Sequence, residues 1–297
     1  MMQTTTLRPD DASAACEVEL VSSGSLEIGG HAPQDVSAVA GCLPVGTAVF
    51  VNHLPRQALG DTVPTLRAAR AAGLDPVPHI AARRVASRHE LATYLDQAVG
   101  KVGVRRVLLI GGDMASAAGP YDDAESLLAD PAFVASGIRE VGVATYPEGH
   151  PRIGKDVLEG ALGRKLGRIA SQGASPFLVT QFVFAPTRVV EHCTYLHRRF
   201  PGVPVYPGIA GPASPGRLMY FAQRCGVSAS LRALQAQGFG AVRLLTHTDP
   251  GAQLRVIAQH CVSRTLPNVV GVHFFSFGGA QRTAQFMLNV LSAGRGA

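Results

Sequence analysis

The chain has 297 residues, a net charge of +6 and a pI of about 9.3. Hydrophobic residues make up 46% of it and charged residues 16%, which excludes a disordered chain and provides for a large core. No apolar run is long enough to span a bilayer, and the N-terminus lacks the basic-then-apolar pattern of a signal peptide. We therefore expect a cytoplasmic protein with no membrane partner.

Cysteine spacing and charge patterning exclude further classes. The five cysteines are odd in number and form no CxxC pair, which argues against a disulfide framework and a zinc cluster. No metal-binding motif is present, so we expect no metal. The basic residues are scattered and tryptophan is absent, which argues against a nucleic-acid partner. A basic balance favours an anionic small ligand, although an ordinary basic surface explains it equally well.

Eight short apolar runs alternate with helical patterns along the chain. They are Cys16–Val21, Thr47–Asn52, Asp75–Ile80, Arg106–Gly111, Val141–Tyr146, Phe177–Phe184, Val203–Ile209 and Val269–Ser276. Nearly continuous apolar strands followed by helices predict a single α/β domain over residues 1–297, a (β/α)₈ TIM barrel. We expect a loose N-terminal arm over residues 1–13 and short extra helices, one of them over residues 226–240.

An open doubly wound sheet is the alternative architecture. Such a sheet would place a glycine fingerprint and a helix directly after the first strand. The segment "SSGSLEIGGHAP" that follows the first predicted strand does not fit that fingerprint.

In a TIM barrel, ligands bind where the carboxyl ends of the strands meet, so polar residues there are the candidates. Glu17 and Glu19 alternate with apolar residues in the first predicted strand and share one side of it. They either face the barrel interior as functional carboxylates or face outward and pair with helix cations. Both interpretations remain open from the sequence.

Four further candidates each have an ordinary structural explanation. Asp113 follows two glycines in "LLIGGDMAS" and either meets a ligand or caps the next turn. Gln181 lies inside an apolar strand, where its amide must bond backbone or ligand. His79 is a ligand contact or a core histidine. The segment "TYPEGHP", residues 145–151, is a rigid turn that either positions a ligand or only connects elements.

Taken together, these motifs resemble the methylenetetrahydrofolate reductase family of flavin-dependent TIM barrels. The matching stretches are "PHI" after strand three, "GGD" after strand four, "TYPEGHP" after strand five, "TQFVF" on strand six and "YPGI" on strand seven. The resemblance covers nearly the whole chain, in the family's order and spacing.

The resemblance implies roles for individual residues. The acid on the first strand, matched by Glu19, would be the general acid that opens the folate imidazolidine ring. Asp113 would lie near both flavin and pterin, and Gln181 would hydrogen-bond the pterin. Phe275, in the strand-eight segment, would contact the substrate.

The same resemblance implies that FAD is the cofactor. His79, Tyr146 and His150 would contact the dinucleotide. Gly111 and Gly112 would let the flavin lie against bare backbone next to Asp113.

The sequence also departs from the family. Gly111 replaces an arginine that helps to hold the flavin, the first strand reads "VELVSS", and "FSFG" replaces the family's strand-eight motif. Loss of a positive charge beside the flavin implies a lower flavin potential and poorer reduction by NADH or NADPH.

The sequence therefore predicts an FAD-dependent oxidoreductase that interconverts 5,10-methylenetetrahydrofolate and 5-methyltetrahydrofolate. It would use little NAD(P)H, take another redox partner, or act in the 5-methyltetrahydrofolate-oxidising direction. We expect a homo-oligomer. The alternatives are a flavin-free pterin-binding barrel that transfers a one-carbon group, and a non-catalytic folate- or flavin-binding barrel.

Overall fold

The computed structural model describes residues 9–30, 33–227 and 249–294. Its strands form one parallel sheet in the order β7-β6-β5-β4-β3-β2-β1-β9-β8. The strands are Ser25–Gly29 (β1), Ala48–Asn52 (β2), Asp75–Ala81 (β3), Arg106–Ile110 (β4), Glu140–Thr145 (β5), Ser175–Thr180 (β6), Val205–Tyr206 (β7), Gly208–Ala210 (β8) and His273–Phe275 (β9). Because β7 pairs with β6 and β8 pairs with β9, these two short strands are halves of one stave. The sheet is a nearly closed barrel of eight staves, and the predicted TIM-barrel fold is confirmed.

Pro207 divides the seventh stave. Its carbonyl accepts a hydrogen bond of 2.9 Å from the His273 N–H, which links the stave to β9. The Gly208 N–H donates to the Thr180 hydroxyl at 2.9 Å, which links it to β6. A Cβ at position 208 would lie 2.3 Å from the Thr180 carbonyl oxygen, so only glycine allows this close approach.

Helices surround the barrel. They are Pro9–Ser22 (α1), Pro33–Ala40 (α2), Val63–Ala71 (α3), Arg88–Leu95 (α4), Ala124–Leu128 (α5), Pro131–Val134 (α6), Lys155–Ser171 (α7), Pro186–Arg199 (α8), Pro215–Arg224 (α9), Pro250–Val262 (α10) and Ala280–Ala293 (α11). Short 3₁₀ turns cover Leu59–Thr62 and Ala82–Arg84, and a π-helical turn covers Asp96–Lys101.

Side chains alternate between the barrel interior and the helix layer. On β2, Val49 and Val51 pack in the large core beneath the helices, whereas Phe50 belongs to a separate inner cluster. That cluster consists of Ala48, Phe50, Val77, Leu108, Phe177 and Val179. The barrel is therefore filled below its mouth, and a ligand has room only above this layer.

The prediction of a first strand over Cys16–Val21 is wrong, because these residues belong to α1. Ser13, Leu20 and Val21 are buried, at spacings that fit a helix packed on α10 and α11. Glu19 is exposed on this helix, near the amino-terminal end of β1 and away from the strands' carboxyl ends. The true first strand is "SLEIG", Ser25–Gly29.

The remaining strand predictions differ in accuracy. Strands two to five agree within one residue at each end, whereas the last three were predicted too long. Apolar residues continue there into buried segments beyond the strand ends, as Phe182, Val183 and Phe184 show.

Two other predictions meet the limits of the described residues. Residues 9–13 of the expected N-terminal arm are helical, and residues 1–8 lie outside the described residues. Most of the predicted helix over residues 226–240 also lies outside them. Within the described ranges, no helix is both long enough and apolar enough to cross a membrane.

Candidate functional site

A cavity of about 2240 Å³ opens at the carboxyl ends of the strands. Its walls come from the ends of β1 to β6 and β9, from the loops that follow them, and from α7, α8 and α9. Pockets for single drug-sized ligands usually measure about 300–1,000 Å³. The cavity therefore has room for two such molecules, or for one dinucleotide with a second ligand.

Glu27 provides a buried carboxylate at the floor of this cavity. Its neighbours Leu26 and Ile28 point into the helix-side core, so strand alternation directs Glu27 into the barrel. Its Oε2 accepts a hydrogen bond of 3.2 Å from Asn52 Nδ2, and its Oε1 lies 3.3 Å from His273 Nε2. Three neighbouring staves thus hold one carboxylate.

His79 completes this cluster. Its Nε2 lies 3.7 Å from Glu27 Oε1 and has no hydrogen-bond partner among the described residues, although it is buried. Burial lowers the pKa of His79 to about 4, against the opposing effect of Glu27, so the imidazole is neutral at pH 7. Burial raises the pKa of Glu27, but the hydrogen bond from His273, the electrostatic effect of the His79 and His273 rings and the hydrogen bond from Asn52 together outweigh it, and this pKa lies below its ordinary value. Glu27 is therefore a carboxylate at neutral pH.

Asp113 lies just beyond the end of β4 and forms ion pairs with two arginines. Gly112 has φ of +91°, which turns the chain so that Asp113 reaches the rim. Arg84 donates to Asp113 Oδ1 and also to the His53 carbonyl, and Arg224 Nη2 lies 3.6 Å from Asp113 Oδ2. Burial raises the pKa of Asp113, but the hydrogen bond and charge of Arg84 outweigh it and hold this pKa below its usual range.

The loop after β5 forms an aromatic corner. The rings of Tyr146 and His150 meet edge to face with centroids 5.1 Å apart. Gly149, with φ of +78°, makes the turn between them, and His150 Nδ1 accepts a hydrogen bond from the Arg152 N–H at 3.2 Å. Both rings line the cavity beside the Gly111–Gly112 backbone.

Gln181 is the first residue after β6 and not a residue within the strand. Its N–H continues the ladder to the Thr145 carbonyl at 2.8 Å, and its Oε1 accepts from the Phe182 N–H at 3.1 Å. Its amide also hydrogen-bonds the Cys225 thiol, whose pKa burial raises to about 11. Because Oε1 is engaged by backbone, the NH₂ group makes the bond to Cys225, and its second N–H is the donor available to a ligand.

Phe275 belongs to an aromatic wall at the end of β9. Its ring lies 5.5 Å from that of Phe182 and 6.0 Å from that of Phe277, which also stacks on Phe221 at 4.7 Å. Phe277 has φ of +48°, an uncommon conformation for an aromatic residue, and the Arg217 guanidinium donates to its carbonyl at 2.9 Å. The wall offers an apolar aromatic surface to the cavity.

Two cations on the α7 side lack carboxylate partners. Lys165 lines the cavity, is half-buried, and has no carboxylate within 4 Å among the described residues. Burial lowers the pKa of Lys165, and the charges of Asp123 and Glu125 oppose this effect. Arg152 also lines the cavity and forms no ion pair within the same part of the chain. Both are placed to receive an anionic group.

The structure brings together nearly all residues singled out from the sequence. His79, Gly111, Gly112, Asp113, Tyr146, His150, Gln181 and Phe275 line one cavity. Glu19 does not. Sequence reasoning missed Glu27, although an acid in the apolar "SLEIG" was a usable signal. It also missed Arg84, whose contact with Asp113 depends on the fold. His273 is a polar residue at the end of the last predicted strand, but its contact with Glu27 was not predicted.

The fold and the cavity define a TIM-barrel protein with a ligand-sized cavity at the carboxyl ends of its strands. The chain belongs to the methylenetetrahydrofolate reductase family, because the sequence profile of that family matches residues 61–237, more than half of its length.

Comparison with solved structures gives two matches to report. One is an uncharacterized protein from Clostridium thermocellum that binds two copies of 5-methyl-5,6,7,8-tetrahydrofolic acid. It is 10% identical, with 90% of this chain and 95% of that chain covered and a TM-score of 0.58. The other is dihydropteroate synthase from Burkholderia cenocepacia, 11% identical, with 92% and 93% of the two chains covered and a TM-score of 0.44.

Proposed function

We propose that the protein is an FAD-dependent oxidoreductase that interconverts 5,10-methylenetetrahydrofolate and 5-methyltetrahydrofolate. The observation that carries the proposal is one cavity that joins a buried carboxylate, Glu27, to the Gln181 amide and to the bare backbone of Gly111 and Gly112. Family membership supports the reaction class.

The residues present fit FAD. A Cβ at position 111 would meet no atom within 4 Å, so the backbone at the end of β4 is open to a flat ring system. Tyr146 and His150 provide aromatic contacts next to it, and Lys165 and Arg152 provide charges for a diphosphate. When bound, FAD would supply the group that accepts and returns a hydride.

The chain's own residues would handle the folate and its proton. Gln181 would donate its NH₂ group to an acceptor on the pterin edge, since its oxygen is bonded to backbone. Phe275 and its aromatic neighbours would stack on a planar ring and exclude water. Glu27 would exchange a proton with folate N10 as the five-membered ring closes or opens.

The ionised state of Glu27 supports action in the oxidising direction. Ring closure on the oxidised one-carbon unit releases a proton from N10, and a buried carboxylate is a suitable base for it. In the reverse direction the same oxygen returns that proton. Glu27, rather than Glu19, is therefore the residue we propose for the acid–base role.

The electron partner is the finer point. A low flavin potential is expected because Gly111 replaces the family's arginine and so removes a positive charge beside the flavin. Arg84, with a side chain about nine-tenths buried, and Arg224 place two guanidinium groups at Asp113, beside Gly111. We therefore propose that these residues provide the positive charge, which removes one reason to expect poor reduction by NADH or NADPH.

A second candidate is a flavin-free folate-binding barrel. The specific observation in its favour is the cavity volume of about 2240 Å³, which accommodates two folate-sized ligands. The similar Clostridium thermocellum protein binds two copies of 5-methyltetrahydrofolate.

One purification separates the two candidates. We expect the purified protein to be yellow, to release FAD on denaturation, and to bind one 5-methyltetrahydrofolate per chain by calorimetry. Anaerobic mixing with 5-methyltetrahydrofolate should then bleach the flavin. A colourless protein that stays colourless after reconstitution with FAD, and binds two folates per chain, would overturn the flavoenzyme proposal in favour of the second candidate.

Lys165→Met tests the proposed dinucleotide site. It should weaken FAD binding to the apoprotein by about tenfold or more, because it removes a partly desolvated charge. Lys101→Met is the matched control, since Lys101 is exposed and pairs with Asp96 at 3.0 Å outside the cavity. Equal FAD affinity in the two variants would exclude Lys165 from the site.

A further inference from the structure

A chain of buried hydrogen bonds lies behind Glu27. Ser25 Oγ lies 2.8 Å from His273 Nδ1, and His273 Nε2 lies 3.3 Å from Glu27 Oε1. Ser25 is 2% exposed and His273 is fully buried. Glu27 lines the cavity, whereas Ser25 and His273 do not, so a ligand in the cavity does not reach them.

The chemistry of the groups fixes the direction of the bond to Glu27, and the tautomer of His273 decides the direction of the bond to Ser25. An ionised carboxylate only accepts hydrogen bonds, so His273 must hold its proton on Nε2. A neutral imidazole protonated on Nε2 presents a lone pair on Nδ1. To an imidazole in this tautomer, Ser25 donates its hydroxyl proton at Nδ1. With Ser25 as donor, the imidazole is held in the tautomer that supports the Glu27 carboxylate.

We propose that Ser25 and His273 are positioning residues that keep Glu27 oriented and ionised for its exchange of a proton with the substrate. This inference rests on the proposed function, since it deepens the role assigned there to Glu27. The arrangement is a carboxylate held by an imidazole whose tautomer is held by a third group.

No other group around Glu27 among the described residues can replace the hydrogen bond that His273 donates to it. Asn52 on β2 donates to the second carboxylate oxygen, at 3.2 Å. His79 on β3 lies 3.7 Å from Oε1, beyond hydrogen-bond distance, and His53 lies behind it. Cys225, after α9, has a pKa that burial raises to about 11 and is an uncharged thiol. His273 is therefore the only hydrogen-bond donor that the described residues provide to Oε1.

This series of hydrogen bonds also explains why β1 begins with a polar residue, Ser25. Ser25 pairs with His273 in the parallel register between β1 and β9, which brings the hydroxyl and the imidazole to the same height in the barrel. Phe50 packs against the His273 ring with centroids 4.6 Å apart and limits its rotation. The imidazole thus has a fixed orientation as well as a fixed tautomer.

Ser25→Ala tests the inference through the titration of Glu27. The carboxyl band of protonated Glu27 is followed by infrared difference spectroscopy on the full chain as purified, and is assigned by its loss in Glu27→Gln. Without the serine donor we expect the Glu27 titration midpoint to rise by about one pH unit. The acidic limb of kcat against pH should move with it, while KM for 5-methyltetrahydrofolate changes less than about twofold.

Three variants serve as controls. Ser25→Thr keeps the hydroxyl and should restore the wild-type midpoint. Ser13→Ala removes another buried serine hydroxyl, on α1 far from the cavity, and should leave the midpoint unchanged. In His273→Gln the side-chain amide donates without help from Ser25, so adding Ser25→Ala to it should produce no further shift.

The outcomes keep the two proposals apart. A Glu27 midpoint in Ser25→Ala within about 0.2 pH units of wild type overturns the inference, whatever the turnover. If Ser25→Ala does not fold, a midpoint that remains at the wild-type value in the His273→Leu variant, which has no donor, overturns it equally. Absence of folate binding in the wild type contradicts the proposed function, whereas the infrared titration still decides whether Ser25 and His273 control Glu27.

Discussion

Replacement of Glu27 by glutamine is the sharpest test of the site, because the sequence pointed to a different acid. Glutamine preserves the size of the side chain and removes the proton-accepting oxygen. Loss of a general acid or base usually slows turnover by about 10²- to 10⁴-fold. This corresponds to about 3–5 kcal/mol in the activation barrier.

The local contacts set the expected effect on stability. Asn52 and His273 each donate to one oxygen of Glu27, at 3.2 and 3.3 Å. Glutamine keeps one oxygen for one donor and turns its NH₂ group toward the other. We expect a loss of about 1–3 kcal/mol from the unfavourable donor–donor contact, partly offset because the variant buries no charge. This leaves the domain folded, since domains are usually stable by about 5–15 kcal/mol.

The matched control is Glu19→Gln. Glu19 is exposed on α1, so its substitution should change the unfolding free energy by less than about 0.5 kcal/mol and leave turnover unchanged. The assay is single-turnover bleaching of the flavin by 5-methyltetrahydrofolate under anaerobic conditions, with folate affinity measured by calorimetry. Normal turnover in Glu27→Gln, or slow turnover in Glu19→Gln, would refute the assignment.

Three further predictions follow from particular side chains. The pKa values of His79 and His192 are lowered by burial from 6.5 to about 4, so each contributes stability that is complete above pH 6.5 and is lost as the pH falls toward 4. The lost contribution to the free energy of unfolding is about 3 kcal/mol for each histidine. In each His→Gln variant, urea unfolding at several pH values should show a smaller decrease of that free energy between pH 6.5 and pH 4. Gly142→Ala places a Cβ 2.5 Å from a ring on β6 and should cost about 1–3 kcal/mol, measured by urea unfolding. Arg84→Met removes the charge nearest Asp113 and should lower the flavin midpoint potential, measured by dye-equilibrated reduction.

The fold was predictable from the sequence because parallel strands buried on both faces give continuous apolar runs. Strands β2 to β5 have this pattern and bounds within one residue of those predicted. Strand β1 does not, because Ser25 and Glu27 face the barrel interior, so its polar residues conceal it. The segment Cys16–Val21 resembles a strand because its acids alternate with apolar residues, whereas its buried residues Leu20 and Val21 lie at helical spacing from Ser13.

Residues of the site that follow strands were predictable for a related reason. Once the barrel is recognised, chain order alone places His79, Asp113, Tyr146 and Gln181 at one mouth. Contacts between side chains from different loops were not predictable, because they depend on how each loop folds. The Arg84–Asp113 ion pair joins residues 29 positions apart and follows from a 3₁₀ turn that ends β3.

The Arg84–Asp113 pair changes how the departure at Gly111 is interpreted. The sequence suggested a flavin without a nearby cation, and hence poor reduction by NADH, but Arg84 brings a guanidinium to the same strand end from the adjacent loop. Two causes of altered donor use can now be separated. If charge decides, the wild type is reduced by NADH at an ordinary rate and Arg84→Met is slow. If the aromatic wall of Phe275 and Phe277 obstructs the nicotinamide instead, the wild type is already slow and Arg84→Met changes its flavin potential with little further effect on that rate.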